Sequence, residues 1–538
     1  MTSIWKSAHT VDHSELRADV VVVGSGPSGQ AVARQLAVSG IDVLILEAGP
    51  AETVHRKSQA LLQAAMPAVH GQYPDFGTHL LMNLGGAIGK PQMPMSPDGS
   101  KPAEGIRLTR LVEADFTAWP FDVDELAPYY QEISDWFCID WEERPTPRFA
   151  DPRLQAEPFH VVSRRRFSHP TPQQLGDVRV LLDAPVSRLI VESTGRIASA
   201  VVTTTSGRTM RVEADRFVLA MNSMPATQLL LHSRAAMATG MLGHFLMDHP
   251  LTTLGFIEPA ADLPRDVLDP LTPDPTSTGL YWPKLVPDQS AVADQRLVNL
   301  ALTLIPLDWS VPRNLARHRF LKPVKVGART GAKHRVDRIK SAVRERRLDR
   351  GLASDMIAAA GGIDELLHIK FRPEGPRFNM ESGWWKHELV TDLPRTFEIM
   401  AMVEQKPRWE NHVSLSDETN ALGWKKLRVN WRYSDEDKDR VDRAATPIID
   451  ALEDAGFGRI TRLPSSRHTE NYSCHHASGT IRMAATPDAG VVDPNCRTFE
   501  HENLYVVGAA VFPSIGYANP TLTTMALGAR VADHIIKS

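Results

Sequence analysis

The chain has 538 residues, 42% of them apolar and 23% charged, and a net charge of −4. This length exceeds what a single hydrophobic core usually supports, so we expect two domains, and the small net charge excludes a general attraction to nucleic acid. The three cysteines are too few and too scattered for a disulfide framework or a thiolate metal site, which favours a reducing cytoplasm.

The first 17 residues lack the basic start and the apolar stretch of a secretion signal. No apolar run in the sequence reaches the length that a membrane span requires. We therefore expect a cytoplasmic protein without a membrane partner.

The first regular pattern is a strand, a glycine-rich turn and a helix. The β-branched run over residues 18–23 leads into Gly24-Ser-Gly26-Pro-Ser-Gly29, and a helical pattern follows. Gly24 permits a tight turn, Gly26 lets the backbone approach a pyrophosphate, and Gly29 lets the helix pack closely on the strand. The pattern predicts a dinucleotide site at the helix N-terminus, where the helix dipole favours anions. A purely structural turn is the alternative.

The next strand supports a dinucleotide site. Residues 41–46 form a second apolar run that leads to Glu47, the expected acceptor for a ribose 2′-hydroxyl group. An acid at this position disfavours the 2′-phosphate of NADP. The spacing by itself leaves FAD and NAD open.

The middle of the chain gives weaker signals. The glycine-rich segment 83–91 is either a loop that brings backbone against a flavin ring or an ordinary flexible loop. Asp124 is a candidate cap for a helix that runs through Trp136. Residues 178–220 alternate apolar and polar residues in short runs typical of a β-meander, and we expect a helix from Asn222 onward.

Two further segments precede the C-terminal region. Segment 242–250 contains Asp248-His249-Pro, and His249 is either a cofactor contact or a structural histidine, of which we favour the second. Residues 313–350 contain 14 Lys or Arg against three acids. This basic stretch is a solvated helical insertion, a lid over an active site or a patch for an anionic partner. Its single aromatic residue, Phe320, disfavours base stacking and therefore a nucleic-acid partner.

The domains are expected to be discontinuous. Two strand-like runs between residues 397 and 432 predict an antiparallel sheet that forms one wall of a substrate pocket. We expect the following division of the chain: first cofactor-binding segment, 15–90; loop and helical region that partly belongs to the substrate domain, 91–175; second cofactor-binding segment, 176–250; substrate domain with the basic insertion 313–350, 251–465; C-terminal cofactor-binding segment with the catalytic pair, 466–538.

Two polar clusters lie near the C-terminus. The first reads His475-His476-Ala-Ser-Gly479-Thr, and the second ends in Gly-Tyr-Ala-Asn519-Pro-Thr. Between them, residues 503–508 form a strand that ends in glycine. Because the two histidines are adjacent rather than four residues apart, and no further ligand spacing follows, we expect no metal site.

In this order, the motifs resemble those of the glucose-methanol-choline (GMC) oxidoreductases over nearly the whole chain. The ending Gly-Tyr-Ala-Asn-Pro-Thr-Leu-Thr and the Trp-Pro-Phe segment resemble the pyranose oxidase and bacterial glycoside 3-oxidase branch. The resemblance implies an α/β fold with an FAD-binding Rossmann-like domain and a second, substrate domain built on an antiparallel β-sheet. It also implies FAD as the cofactor.

The resemblance assigns residues to these roles. His476 matches the family's catalytic histidine because it stands three residues before Gly479, and Asn519 matches its partner. Lys90 stands where many pyranose oxidases attach FAD to a histidine, so we expect non-covalent FAD. Gln92 stands where a threonine near the flavin is expected, which leaves reactivity with oxygen open. The implied FAD contacts are Gly24, Gly26, Ser28, Gly29, Glu47, Gly85, Gly86, Val186, Gly508, Ala509, Asn519, Pro520 and Thr521.

The implied chemistry is alcohol oxidation. A histidine such as His476 can act as a general base near neutral pH, which is typically worth about 10²–10⁴-fold in rate. Asn519 would donate a hydrogen bond to the developing alkoxide and position the substrate. We expect oxidation of a secondary hydroxyl group, at C2 or C3 of a pyranose sugar or glycoside, with oxygen reduced to hydrogen peroxide. The alternatives are a sugar dehydrogenase with a quinone or other external acceptor, and a flavin-containing hydroxynitrile lyase.

Overall fold

The computed structural model describes most of the chain. The described residues are 5–11, 15–50, 68–71, 105–108, 110–112, 115, 118–139, 147–163, 172–204, 206–261, 263, 271, 274–275, 279–295, 297–307, 396–419, 423–463 and 476–538. The predictions for the loop 83–91, for Lys90 and Gln92, for the basic stretch 313–350 and for His475 lie outside these residues.

The described residues form strands and helices with the following bounds. The strands are β1 Trp5–Ser7, β2 Glu15–Val23, β3 Val43–Leu46, β4 Ala68–Gly71, β5 Gly105–Leu108, β6 Gln155–Glu157, β7 His160–Ser163, β8 Arg179–Leu182, β9 Val186–Val191, β10 Ile197–Thr203, β11 Thr209–Leu219, β12 Leu251–Pro259, β13 Asp274–Pro275, β14 Gly279–Tyr281, β15 Lys284–Val286, β16 Leu300–Leu307, β17 Thr396–Val403, β18 His412–Thr419, β19 Lys425–Trp431, β20 Gly458–Arg462 and β21 Leu504–Val506. The α-helices are α1 Pro27–Val38, α2 Ala127–Phe137, α3 Pro172–Leu175, α4 Ser223–Ser233, α5 Gln289–Asp294, α6 Asp435–Asp454 and α7 Thr521–Lys537.

The largest sheet has eight strands in the order β1-β8-β3-β2-β11-β10-β9, with β21 paired to β11. The strands β8, β3, β2, β11 and β21 run parallel, and β10 pairs antiparallel with both β11 and β9. The valines over residues 20–23 are almost completely buried. A parallel strand that is covered on both faces requires such a continuous apolar run.

Two helices from opposite ends of the chain pack together on this sheet. A Cβ added to Gly528 of α7 would lie 2.9 Å from the carbonyl oxygen of Ser28 in α1. Glycine at this position therefore lets α7 approach the backbone of α1 closely. Consequently the C-terminal helix lies against the helix that follows the glycine-rich turn.

The second major sheet is antiparallel and has six strands in the order β20-β12-β17-β16-β15-β6. Apolar residues of β17 and of the amphipathic helix α6, such as Ile399 and Ile448, share one buried core. The structure confirms the predicted fold class, an α/β fold with a Rossmann-like domain and an antiparallel-sheet domain.

Two local predictions differ from the structure. The second strand-like run, β19, does not join β17; it pairs with β18 and β4 in a separate three-stranded sheet. The side chain of Gln405, which follows β17, contacts the end of β19: its Oε1 accepts from Trp431 Nε1 at 2.7 Å and its Nε2 donates to the carbonyl of Arg432 at 3.0 Å.

The prediction that Asp124 caps the helix is wrong. Asp124 lies inside a short 3₁₀ helix, Val123–Glu125, and α2 begins at Ala127 with Pro128 as its second residue. Proline is tolerated there because the first N–H groups of a helix have no intrahelical acceptor. In the part of the chain that the structure describes, no helix combines the length and the apolar character needed to cross a bilayer.

Candidate active site

His476 lies where a short bridge joins the C-terminal segment to the segment before β12. The backbones of Met247 and Ser478 exchange two hydrogen bonds, of 3.0 and 2.9 Å. Asp248 Oδ1 accepts from the backbone N–H of His476 at 2.9 Å and from that of His249 at 2.6 Å. One carboxylate therefore fixes the backbones of both histidines.

The two histidines also contact each other through their rings. Nδ1 of His249 lies 2.8 Å from Nδ1 of His476, and the rings meet nearly at right angles. His249 is completely buried, and its Nε2 lies 3.0 Å from the carbonyl oxygen of Gly516. Burial lowers the pKa of His249, against the opposing effects of Asp248 and the carbonyl groups. His249 is thus a buried, hydrogen-bonded histidine, and its partner is His476.

Gly479 makes the turn after His476 possible. Its φ is +81°, and a Cβ there would lie 2.5 Å from the carbonyl oxygen of Phe245. Its N–H donates to the carbonyl of Ala509 at 3.0 Å. This glycine, which identified His476 in the sequence, is therefore required by the backbone.

Asn519 lies just before α7 in the second cluster. Its side chain is buried, and its Oδ1 has no hydrogen-bond partner among the described residues. Leaving such a group unsatisfied typically costs about 1–3 kcal/mol, so this oxygen is suited to accept a hydrogen bond from a bound ligand. Pro520 precedes the first helical residue, Thr521, and no side chain caps this end of the helix. The helix N-terminus can therefore stabilise a negative charge.

The turn between β2 and α1 fits a pyrophosphate. Gly24 has a φ of +102°, and a Cβ at Gly29 would lie 2.1 Å from the carbonyl oxygen of Gly24. In contrast, a Cβ at Gly26 would meet no described atom within 4 Å. Gly26 is the N-cap of α1 and no side chain caps the helix there, while the neighbouring Ser28 is buried. The N–H groups at this helix end, which no described side chain caps, are suited to bind an anion.

Glu47 is buried where β3 ends. Its Oε2 accepts from the backbone and the hydroxyl group of Ser25 at 3.0 and 2.6 Å, and its Oε1 accepts from Gly49 N at 2.9 Å. Burial raises the pKa of Glu47, and these hydrogen bonds oppose that rise. The N–H of Ala184 donates to the Glu47 carbonyl, which places Val186, at the start of β9, close to the same end of the sheet.

Gly508 and Ala509 lie at the end of β21. Gly508 has a φ of +136°, and a 3₁₀ helix begins at Ala509. The Gly479 N–H reaches the carbonyl of Ala509, so this segment connects the His476 turn with the parallel sheet. The predicted contacts Gly85 and Gly86 lie outside the described residues.

A buried carboxyl group that the sequence analysis missed lies behind the loop of Asn519. Asp115 Oδ1 accepts from Asn299 Nδ2 at 2.9 Å, and a Cβ at Gly516 would lie only 2.2 Å from Asp115 Oδ2. Burial, together with the nearby negative charge of Glu404, raises the pKa of Asp115 to about 7. No spacing in the sequence distinguishes this acid from a surface acid.

Because the pKa of Asp115 is raised, we expect its contribution to the free energy of unfolding to decrease as the pH rises. The folded protein binds this proton more tightly than the unfolded chain, so the contribution is complete below about pH 4 and is lost as the pH rises through 7. We expect this group to lower the free energy of unfolding by about 2 kcal/mol between pH 5.5 and 7.5. Urea unfolding of the wild type and of Asp115→Asn at both pH values measures the difference. Equal pH dependence in the two proteins would contradict it.

Among the described residues, no group of three or more His, Cys, Asp or Glu side chains could hold a metal ion. The polar groups near His476 are instead engaged with one another and with backbone carbonyls.

Comparison with known proteins agrees with this geometry. Residues 407–528 match the family model for GMC oxidoreductase, and residues 17–70 match that for an FAD binding domain. The C-glycoside 3-oxidase of Microbacterium trichothecenolyticum is 31% identical over 134 residues, 23% of this chain and 24% of the relative. The 6′′′-hydroxyparomomycin C oxidase of Streptomyces lividus is 29% identical over 154 residues, 28% of each chain. These alignments span about a quarter of the length of the relatives.

The fold itself matches over almost the full length. The crystal structure of pyridoxine 4-oxidase from Mesorbium loti aligns with a TM-score of 0.52 at 16% identity, covering 97% of this chain and 99% of that one. The fold and the site define an FAD-binding protein of the α/β class. The C-terminal match and the relatives support membership of the GMC oxidoreductase family.

Proposed function

We propose that this protein is an FAD-dependent oxidoreductase that converts a secondary hydroxyl group of a pyranose sugar or glycoside, at C2 or C3, to a ketone. The observation that carries the proposal is the site itself. Hydrogen bonds to Asp248 and His249 hold His476, and the buried amide of Asn519 has an oxygen without a hydrogen-bond partner among the described residues. The relatives named as a C-glycoside 3-oxidase and a hydroxyparomomycin oxidase support the substrate class.

The residues that fit FAD are those of the two uncapped helix ends and the turns beside them. Gly24, Gly26 and Gly29, with Glu47, would hold the dinucleotide, and the Asn519 segment would lie near the flavin. We propose non-covalent binding and, because of the few cysteines, a cytoplasmic location. When bound, FAD supplies the acceptor for the hydride that leaves the carbinol carbon.

The protein groups would act on the hydroxyl group. A ring nitrogen of His476 takes the hydroxyl proton, which avoids forming a protonated ketone as the carbon–hydrogen bond breaks. The amide of Asn519 donates a hydrogen bond to the oxygen on which negative charge develops. Because Asp248 fixes the His476 backbone, the base is positioned before the substrate arrives.

Replacing Asn519 by leucine tests the donor. The variant keeps most of the side-chain volume but has no amide, and we expect kcat to fall about 10²–10³-fold, the usual effect of losing one such donor. KM should change much less, because the interaction strengthens as charge develops. Steady-state kinetics measures both constants. An unchanged kcat would remove Asn519 from the mechanism.

The function is tested by anaerobic mixing with a panel of pyranoses and glycosides while the flavin absorbance is recorded. Bleaching by one sugar class followed by fast reoxidation in air supports an oxidase. Bleaching with slow reoxidation identifies a dehydrogenase with another acceptor. Absence of bleaching by any sugar contradicts the proposal, and cyanohydrin cleavage by the same preparation would then identify a hydroxynitrile lyase.

A further inference from the structure

The contact between the rings of His249 and His476 requires a hydrogen bond between their Nδ1 atoms. Their Nδ1 atoms are 2.8 Å apart, a hydrogen-bond distance, and two lone pairs do not attract each other. One of the two nitrogens must therefore carry a hydrogen and the other a lone pair. The remaining nitrogen of His249 decides which one.

Nε2 of His249 faces two backbone carbonyl oxygens. It lies 3.0 Å from the carbonyl oxygen of Gly516 and 3.4 Å from that of Ile515. A carbonyl oxygen accepts and cannot donate, so Nε2 must carry a hydrogen. Complete burial and the positive charge of Lys284 favour the neutral ring, while Asp248 and the two carbonyls favour the charged ring. Burial is the largest effect, so the ring is neutral and its Nδ1 carries the lone pair.

We propose that His249 is a positioning residue that fixes the tautomer of His476, with the hydrogen on Nδ1 of His476 and the lone pair on Nε2. Nδ1 of His476 donates to Nδ1 of His249, and Nε2 of His476 becomes the basic atom. The use of this atom as the base in alcohol oxidation rests on the proposed function. The tautomer itself does not depend on any substrate.

The main chain holds the two rings in this orientation. Asp248 Oδ1 accepts from both histidine N–H groups, and Asp248 N donates to Gln405 Oε1 at 3.0 Å. Gln405 is buried. The two histidines are 227 residues apart in sequence, and Gln405 comes from a third segment between them. The rings are therefore aligned without any contribution from a ligand.

The hydrogen bond between His249 and His476 also determines which nitrogen accepts the substrate hydroxyl proton. The substrate hydroxyl proton moves to Nε2 of His476, which becomes a cation, while its Nδ1–H stays donated to His249. No proton needs to pass between the rings, and the same Nε2 releases the proton afterwards. A carbonyl-anchored neutral histidine is thus sufficient as the partner of the base.

Nitrogen NMR of the FAD-loaded protein without substrate tests the tautomer directly. Long-range proton–nitrogen correlation spectra of ¹⁵N-histidine-labelled protein separate protonated from unprotonated ring nitrogens, and the spectra of His476→Gln and His249→Gln identify the two residues. At pH 8 we expect His476 protonated at Nδ1 only and His249 at Nε2 only. His476 protonated at Nε2, or equal populations of its two tautomers, would overturn the inference.

Two variants separate the tautomer from simple anchoring. In His249→Gln, the amide nitrogen reaches the position of Nε2 and can donate to the Gly516 carbonyl, but no acceptor remains at the position of Nδ1. In His249→Asp, a carboxylate oxygen replaces that acceptor. In the glutamine variant we expect mixed His476 tautomers and anaerobic flavin reduction about 10²-fold slower than in the wild type. In the aspartate variant we expect a single His476 tautomer and flavin reduction faster than in the glutamine variant.

The outcomes distinguish this inference from the proposed function. A glutamine variant with the wild-type tautomer and rate would mean that His249 only anchors the loop of Gly516, and the inference would fail. If the wild type has the predicted tautomer but no sugar reduces its flavin, the substrate proposal fails and the assignment of His249 stands. Thermal unfolding and FAD content of each variant show whether its fold is retained.

Discussion

Replacing His476 by glutamine should lower the rate of flavin reduction by substrate about 10²–10⁴-fold, because the reaction would lose its general base. Glutamine is polar and of similar size, so the backbone bond to Asp248 and the following turn should persist. We therefore expect the variant to keep its FAD and its thermal midpoint. The measurement is the rate of anaerobic flavin reduction by the best substrate of the panel.

The matched control is His244→Gln. His244 also lies in segment 242–250, but it is partly exposed and stacks on the exposed ring of Trp409. Surface substitutions usually change the free energy of unfolding by less than about 0.5 kcal/mol, so the fold should be retained. We therefore expect the rate of flavin reduction to change by less than about twofold. A His476 variant that reduces its flavin as fast as this control would show that another group takes the proton.

Local patterns predicted the cofactor domain well because the residues involved are close in sequence. The apolar run 18–23, the three glycines and Glu47 lie within 30 residues. Gly29 is required by its contact with the Gly24 carbonyl inside that unit, and Gly24 by its positive φ of +102°. A strand, a turn and a helix that constrain each other directly leave a readable pattern.

The neighbours of the candidate base could not be predicted in this way. His249 meets His476 across 227 residues, and Asp115 lies under Gly516 although 401 residues separate them. Such contacts depend on how the strands are ordered, and β8 is inserted between β1 and β3 although it follows them by more than 130 residues. A periodicity reports which face of an element is buried and does not report what lies against it.

Gly29 and Gly26 in the turn between β2 and α1 should respond differently to substitution by alanine. Gly29→Ala places a Cβ 2.1 Å from a backbone oxygen that cannot move freely. We expect the free energy of unfolding of the apoprotein to fall by about 1–3 kcal/mol, the usual cost of overpacking. FAD should be lost as well, because the turn that holds the helix N-terminus is displaced. Urea unfolding of the apoprotein and the FAD content after gel filtration measure the two effects.

Gly26→Ala is the matched variant that separates cofactor binding from folding. Its Cβ meets no described atom within 4 Å, so the apoprotein should keep its stability to within about 0.5 kcal/mol. FAD affinity should nevertheless fall about 10–100-fold, since the added methyl group projects beside the uncapped start of α1 where the pyrophosphate is expected. If Gly26→Ala binds FAD as tightly as the wild type, the pyrophosphate does not lie against this turn. If it destabilises the apoprotein as much as Gly29→Ala does, both glycines serve the fold and the open space at Gly26 has no role in binding.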